Sequence, residues 1–325
     1  MKPFKTHNQQ LKILRGRNLN LNQASKRHLE NENYYNVING YKDLFLKRNI
    51  DGTLVDPEEY KDGCHLDEIY SLFKIDRKMR NTLLEYTLIF ETSIKSRIAY
   101  YFSEKYPEPH SYLYFKNYSD NPRKTKSILE LISNLSYVMK NDKNKPVKHY
   151  LNTHQEVPLW VLINYLTIGN VNYMYGCLDD DLRTIIAKDF KSKLEREYKR
   201  VNVNITPKDL DSMLQQVNLF RNVCAHEERL YDFKIIKAKP LSNILNTHKV
   251  ISNHEPNFDS DVRDANLFNF IVCLKVFLSK KDYNRLCKEL DSSIEYYKNK
   301  FLTISIKDIY QIIGSNGLIF ADLIK

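Results

Sequence analysis

The chain has 325 residues, 42% hydrophobic and 12% aromatic, enough apolar material to bury a sizeable core and to exclude wholesale disorder. Lys and Arg outnumber Asp and Glu 50 to 40, and the resulting charge of +10 suits an acidic partner such as RNA without demanding one. Five cysteines with no CxxC pair argue against a disulfide framework or zinc knuckle, the opening MKPFKTHNQQ has no apolar signal core, and the greasiest stretch, 267–278, is too short to span a bilayer; the expectation is a soluble cytoplasmic protein with reduced thiols and no membrane association.

Glycine (8) and proline (10) are scarce, so few turns are encoded and long helices are favoured. Residues 7–30 read as helix, loop, helix, with Leu11 and Leu14 on one side and Leu21, Ala24 and Leu29 following. Residues 33–46 read as a further helix containing Gly40, and 49–63 as a polar surface loop. A long helical region is predicted over 66–105, with Asp76 as a cap or junction. Beyond it Met79, Leu83, Tyr86, Phe90, Ile94, Ile98 and Tyr101 recur at helical spacing until Pro107 and Pro109 end it. Helices are predicted at 123–140, 158–175, 179–200 and 207–230, with a basic polar connection over 140–158 between the first two. Residues 234–262 read as a polar linker with Pro240 and Pro256, followed by helices at 263–278, 280–300 and 306–313, the last ended by Gly314. The chain thus divides into an N-terminal helical region (1–65), a helical core (66–233) and a linker with C-terminal helices (234–325).

The stretch LFRNVCAHEERLYDF carries the chemistry. Leu210, Met213, Leu214, Val217, Phe220 and Cys224 form one apolar stripe, so the helix faces a core. Near its end stand Arg221, Asn222 and His226. Arginine is a permanent, forked phosphate ligand, and histidine exchanges protons near neutrality. Together they supply what RNA cleavage needs when the RNA's own 2′-hydroxyl is the nucleophile, with no metal and no cofactor. Arg221 and His226 are five apart, roughly 140° around a helix, so they do not stack; a groove against a second copy of the same helix suits them best. The plainer alternative is structural, with Arg221 paired to Glu228 or a core carboxylate and His226 capping the helix.

Other constellations are weaker. Asp76, Arg77 and Arg80 form either an interhelix ion-pair network or a brace behind the site. Lys140, Lys143, Lys145 and Lys148 form either a solvated loop or an RNA-tracking contact. The pairs Tyr34-Tyr35, Tyr100-Tyr101 and Tyr296-Tyr297 read as packing before base stacking. His149 and His154 lack a third ligand, HEERL lacks the second histidine of a zinc-protease motif, and no glycine-rich phosphate loop occurs.

RNVCAHEERLYDF resembles the RN-x-CAH-x-RL segment of the Abi-like (AbiD/AbiF) family of abortive-infection proteins. KTHNQQLKILRGRNL, ENYYNVINGYKDLF, the 69–98 helix region and VPLWVLINYLTIGNV resemble its other blocks in the right order. Ile75 departs from the family's Phe before Asp-Arg, Glu227 follows the histidine, and GSNGLIFADL matches the closing pattern poorly. The resemblance implies an all-α HEPN-type helical bundle with additional N- and C-terminal helices. It further implies a metal-independent endoribonuclease of a phage-defence or toxin-antitoxin system, with Arg221 and His226 as the motif ends and Asn222 as its polar second position. A homodimer with a composite site, an RNA substrate and a small structured RNA partner or antitoxin would follow. The rival expectation is a non-catalytic RNA-binding or interaction module that restrains growth.

Overall fold

The computed structural model describes residues 3–141, 144–198, 204–236, 238, 265–315 and 317–324. Its axis is one uninterrupted helix of 40 residues, α3 (Leu66–Lys105). A reciprocal cap starts it: the His65 ring accepts the Asp67 N–H at 3.3 Å, and the Glu68 carboxylate accepts the His65 N–H at 3.0 Å. Asp67 and Glu68 also place negative charge at the positive helix end. The bounds agree with the sequence reading, but Asp76 is neither cap nor junction. It lies fully buried inside the helix.

Two short helices precede this axis, α1 (His7–Gly16), begun by a Thr6–Gln9 capping box, and α2 (Ser25–Glu32). The expected helix over 33–46 is formed only in part. Asn33 takes a left-handed φ of +64° that stops α2, residues 34–41 are helical around a π turn at 35–39, and a 3-10 turn at 43–45 follows. The predicted loop at 49–63 is pinned by isolated bridges between Leu46 and Tyr60 and between Arg48 and Leu54.

After α4 (Thr125–Lys140), the stretch read as an irregular connection contains a helix, α5 (Lys145–His154). Pro146 sits in its first turn, where the missing N–H costs nothing, and Val147 is buried with Tyr150 and Leu151 packed beside it. The expected 158–175 helix is split into α6 (Leu159–Leu162), a 3-10 turn and α7 (Ile168–Cys177). Thr167 causes the break, because its side chain accepts the Asn170 N–H at 3.2 Å and so caps a new helix. Helices α8 (Asp180–Glu197) and α9 (Pro207–Ala225) follow, each started by a side-chain cap, from Asp179 and Thr206. The C-terminal helices are α10 (Leu267–Phe277), α11 (Lys280–Glu295) and α12 (Ile306–Ile313). Gly314 closes α12 at φ +94°, where any Cβ would run into the Asn266 side chain. Two-residue strands, β1 (Lys234–Ile235) and β2 (Ala265–Asn266), pair antiparallel with Ile235 opposite Ala265.

The protein is all-α in class, as expected. Helices α8, α9 and α11 pack on α3, α7 packs between α4 and α9, and α10 packs on α8. The buried apolar residues form one cluster that runs from Leu14 to Leu323. Buried carboxylates tie distant segments to it. Glu68 accepts the N–H groups of Leu302 (2.7 Å) and Thr303 (2.8 Å), and Asp291 accepts those of Phe320 (2.9 Å) and Ala321 (2.6 Å). Among the described residues no helix is long and apolar enough to cross a membrane.

Candidate functional site at the end of the motif helix

Helix α9 ends at Ala225, earlier than the predicted 230, and His226 is its C-cap residue. Glu227 takes a left-handed φ of +56°, and the Glu228 N–H returns to the Val223 carbonyl at 3.0 Å. This six-to-one closure satisfies an otherwise orphaned carbonyl and turns the chain sharply. A non-glycine residue in that conformation costs roughly 1–2 kcal/mol, so the turn must be held from elsewhere.

The hold comes from α3. The Asp76 carboxylate accepts the Leu230 N–H at 3.2 Å, the Tyr231 N–H at 2.7 Å and the Tyr41 hydroxyl at 2.7 Å. It also forms an ion pair with Arg80, one helical turn on, and Arg80 donates to the Glu228 carbonyl at 3.2 Å. Asp76 is 0% and Arg80 2% exposed. Burial pushes the Asp76 carboxyl above its usual range, while Arg80, the Tyr41 hydroxyl and the two amides pull it back toward the ionised form. A further clamp is Arg229, which donates to the Gly40 carbonyl at 2.7 Å and pairs with Asp232 at 2.8 Å.

Within this frame the three motif side chains are left unengaged by the described residues. His226 is exposed, and Arg221 and Asn222 are half-buried. Among the described residues none of the three side chains makes a hydrogen bond or ion pair, and Arg221 Nε is buried without a partner. The anticipated Arg221–Glu228 pair is absent among them. Leaving a buried donor unmatched costs about 1–3 kcal/mol, so the Arg221 guanidinium adds little to stability as placed. Cys224, inside the motif, is buried, and burial with the nearby Asp76 charge pushes its thiol up to about 12, which keeps it protonated and unreactive at neutral pH.

The remaining sequence candidates separate. Asp76 and Arg80 lie directly behind the motif turn, whereas Arg77 faces away and holds Glu32 through two bonds of 2.8 and 2.6 Å. That contact draws the Glu32 carboxyl below its ordinary range. Lys140 ends α4, and Lys145 and Lys148 lie on α5; all three are exposed, and Lys143 lies outside the described residues. They ride on helices at the α4–α5 corner, not on the loop expected there. The His149 and His154 rings pack edge to face at 6.1 Å. Among the described residues no group of three or more His, Cys, Asp and Glu is placed to hold a metal ion. Sequence reasoning missed Tyr41, Arg229 and the Leu230–Tyr231 amides, because backbone donors and a partner from another segment leave no spacing signal.

Fold and site together define an all-α protein whose Arg-Asn…His segment is presented at a helix end and fixed by a buried Asp–Arg pair. Residues 27–232 match the family model of Abi-like protein, and the chain belongs to that family, which is associated with abortive infection, a form of defence against phage. No curated protein and no solved structure matches it significantly.

Proposed function

We propose that the protein is a metal-independent HEPN-type endoribonuclease that restrains growth during phage attack, working as a homodimer on RNA. The observation that carries this reading is that Arg221, Asn222 and His226 are unengaged among the described residues, next to a turn that Asp76 and Arg80 hold in place. In the reaction His226 takes the proton of a ribose 2′-hydroxyl, whose oxygen bonds to the adjacent phosphorus. The bond to the 5′-oxygen breaks, and the leaving oxygen takes a proton, from the second subunit's histidine in a composite site. Arg221 neutralises charge gathering on the non-bridging oxygens, and Asn222 orients the histidine or a phosphate oxygen. The products are a 2′,3′-cyclic phosphate and a 5′-hydroxyl. A small structured RNA, as partner or antitoxin, would bind the same basic protein.

The test is RNA cleavage in excess EDTA with product ends mapped, for wild type, His226→Ala and Arg221→Ala. Cleavage that persists in EDTA, leaves cyclic phosphates and disappears in both variants supports the reading. Loss in EDTA with rescue by magnesium, or 3′-hydroxyl ends, overturns it. RNA binding and growth arrest that persist in His226→Ala without cleavage favour a non-catalytic module.

A further inference from the structure

A cleft of about 400 Å³ lies between α4, α7 and α9, on the N-terminal half of the motif helix. Its volume is within the ~300–1,000 Å³ usual for small-molecule sites. Helix α9 supplies Asp211 and Gln215, α7 supplies Gly169, Asn172 and Gly176, and Lys124 stands at the start of α4. The position is tied to the motif by the helix itself. Asp211, Gln215, Asn218 and Asn222 recur at spacings of four, three and four on α9, one face of the helix. Asn218 stands against the cleft glycine Gly169, its Oδ1 3.6 Å from where a Cβ there would be. From Gln215 to Asn222 the axial rise is about 10 Å, the span of roughly two nucleotides of an extended strand.

The lining groups point to a ligand with a hydrogen-bonding edge and a phosphate. Among the described residues the side-chain amides of Asn172 and Gln215 are unengaged, and each offers a donor pair and an acceptor. Asp211 is paired with Arg183, which offsets its charge toward an anion. Lys124 adds a cation. Tyr173, held by its hydroxyl's 2.5 Å bond to Glu130, forms a fixed wall. The floor is kept bare at a cost to the helix. Two of the chain's 8 glycines lie in α7, both with ordinary helical φ. A Cβ on Gly176 would meet nothing within 4 Å, and one on Gly169 would make only ordinary contacts. Neither backbone strain nor tight packing requires them, yet glycine disfavours helix by about 1 kcal/mol relative to alanine.

We infer that this cleft is a nucleotide subsite, which takes one base of a single-stranded RNA about two nucleotides from the phosphate held at Arg221 and reads it through Asn172 and Gln215. The inference rests on the ribonuclease reading above, and two arms keep the failures apart. In the first, wild type, Gly176→Leu and the Asn172→Ala/Gln215→Ala double variant cleave a randomised RNA, and the cut positions are sequenced. Wild type should show a base preference at one fixed offset from the cut, and both variants should lose it with a KM at least 10-fold higher. A preference and KM unchanged in both variants overturn the subsite. If wild type cuts nothing, the ribonuclease reading fails, and the second arm decides the cleft alone. There, fluorescent seven-nucleotide RNAs and free mononucleotides are titrated onto the same proteins. Tighter binding of one base composition by wild type, lost in the variants, supports the subsite. Equal binding by all three proteins, or binding of mononucleotide with none of the strand, overturns it. Thermal melts accompany both arms, and should Gly176→Leu fail to fold, the amide variant carries the test.

Discussion

The Asp76 carboxylate, inside α3, holds the backbone N–H of Tyr231 at 2.7 Å, across 155 positions of sequence. Through that bond the core of the molecule sets where the chain goes after His226. Asp76→Asn should leave Arg80 buried opposite a neutral amide and weaken two backbone contacts. Losing one partner of a buried ion pair costs about 3–5 kcal/mol, so urea denaturation should show a loss of that order. An Asp76→Asn protein as stable as wild type would remove the brace.

His226→Ala should melt with wild type, since its ring is exposed and unengaged among the described residues. Arg221→Met should melt with it or slightly above, because the buried, unmatched Nε is removed and the apolar stem is kept. Melting of either variant well below wild type would return these residues to a structural role.

Phe220 stacks on Phe270 at 4.1 Å and meets Phe233 edge to face at 5.1 Å. Phe220→Ala should cost ~3–5 kcal/mol through the cavity it leaves. It should abolish function by unfolding, in contrast to the neighbouring Arg221 variant. The check is to measure folded fraction and growth arrest together.

Gly176→Ala should raise stability by about 0.5–1 kcal/mol, because the new methyl meets nothing and the unfolded chain loses freedom. Calorimetry that finds a lower melting temperature would mean the helix needs this glycine for packing.

Lys275 is buried, donates to the Leu323 carbonyl at 2.7 Å, and burial depresses its ammonium to about 8 from 10.5. The unfolded state therefore binds more protons between these values, and stability should rise with pH across that window. Relative to Lys275→Met, wild type should gain on the order of 2 kcal/mol between pH 7 and 9.5. Parallel pH profiles for the two proteins would refute this.

Periodicity made the long helices legible. Leu66–Lys105 and Ile306–Ile313 have the bounds that their apolar spacing and flanking Pro107 or Gly314 suggest. The elements that differed were set by single local contacts. Asn33 adopts a left-handed turn, Thr167 caps a helix inside an apolar run, and Pro146 opens one inside a polar run. Each is a choice between conformations of similar energy, which a pattern averaged over many residues does not resolve. The Arg221-Asn222…His226 segment could be picked out because its chemistry is carried by side chains. The clamp behind it could not, since Asp76 and Arg80 act on amides and a carbonyl that every residue possesses. The cleft farther along α9 was hidden for the opposite reason: its defining feature is two missing side chains, at Gly169 and Gly176.

The separation between Asp76 and Tyr231 also imposes an order of events on the ribosome. At ~5–20 residues per second, the 155 positions from Asp76 on to Tyr231 take about 8–30 s to synthesise. For nearly all of that interval Asp76 lacks the amides it will gather, and Arg221 and His226 join the chain only shortly before Tyr231. Glu68 waits longer still, until Leu302 and Thr303 arrive. A nascent chain stalled before Tyr231 lacks the contacts that hold the motif turn, so that turn is fixed only once those amides have joined Asp76.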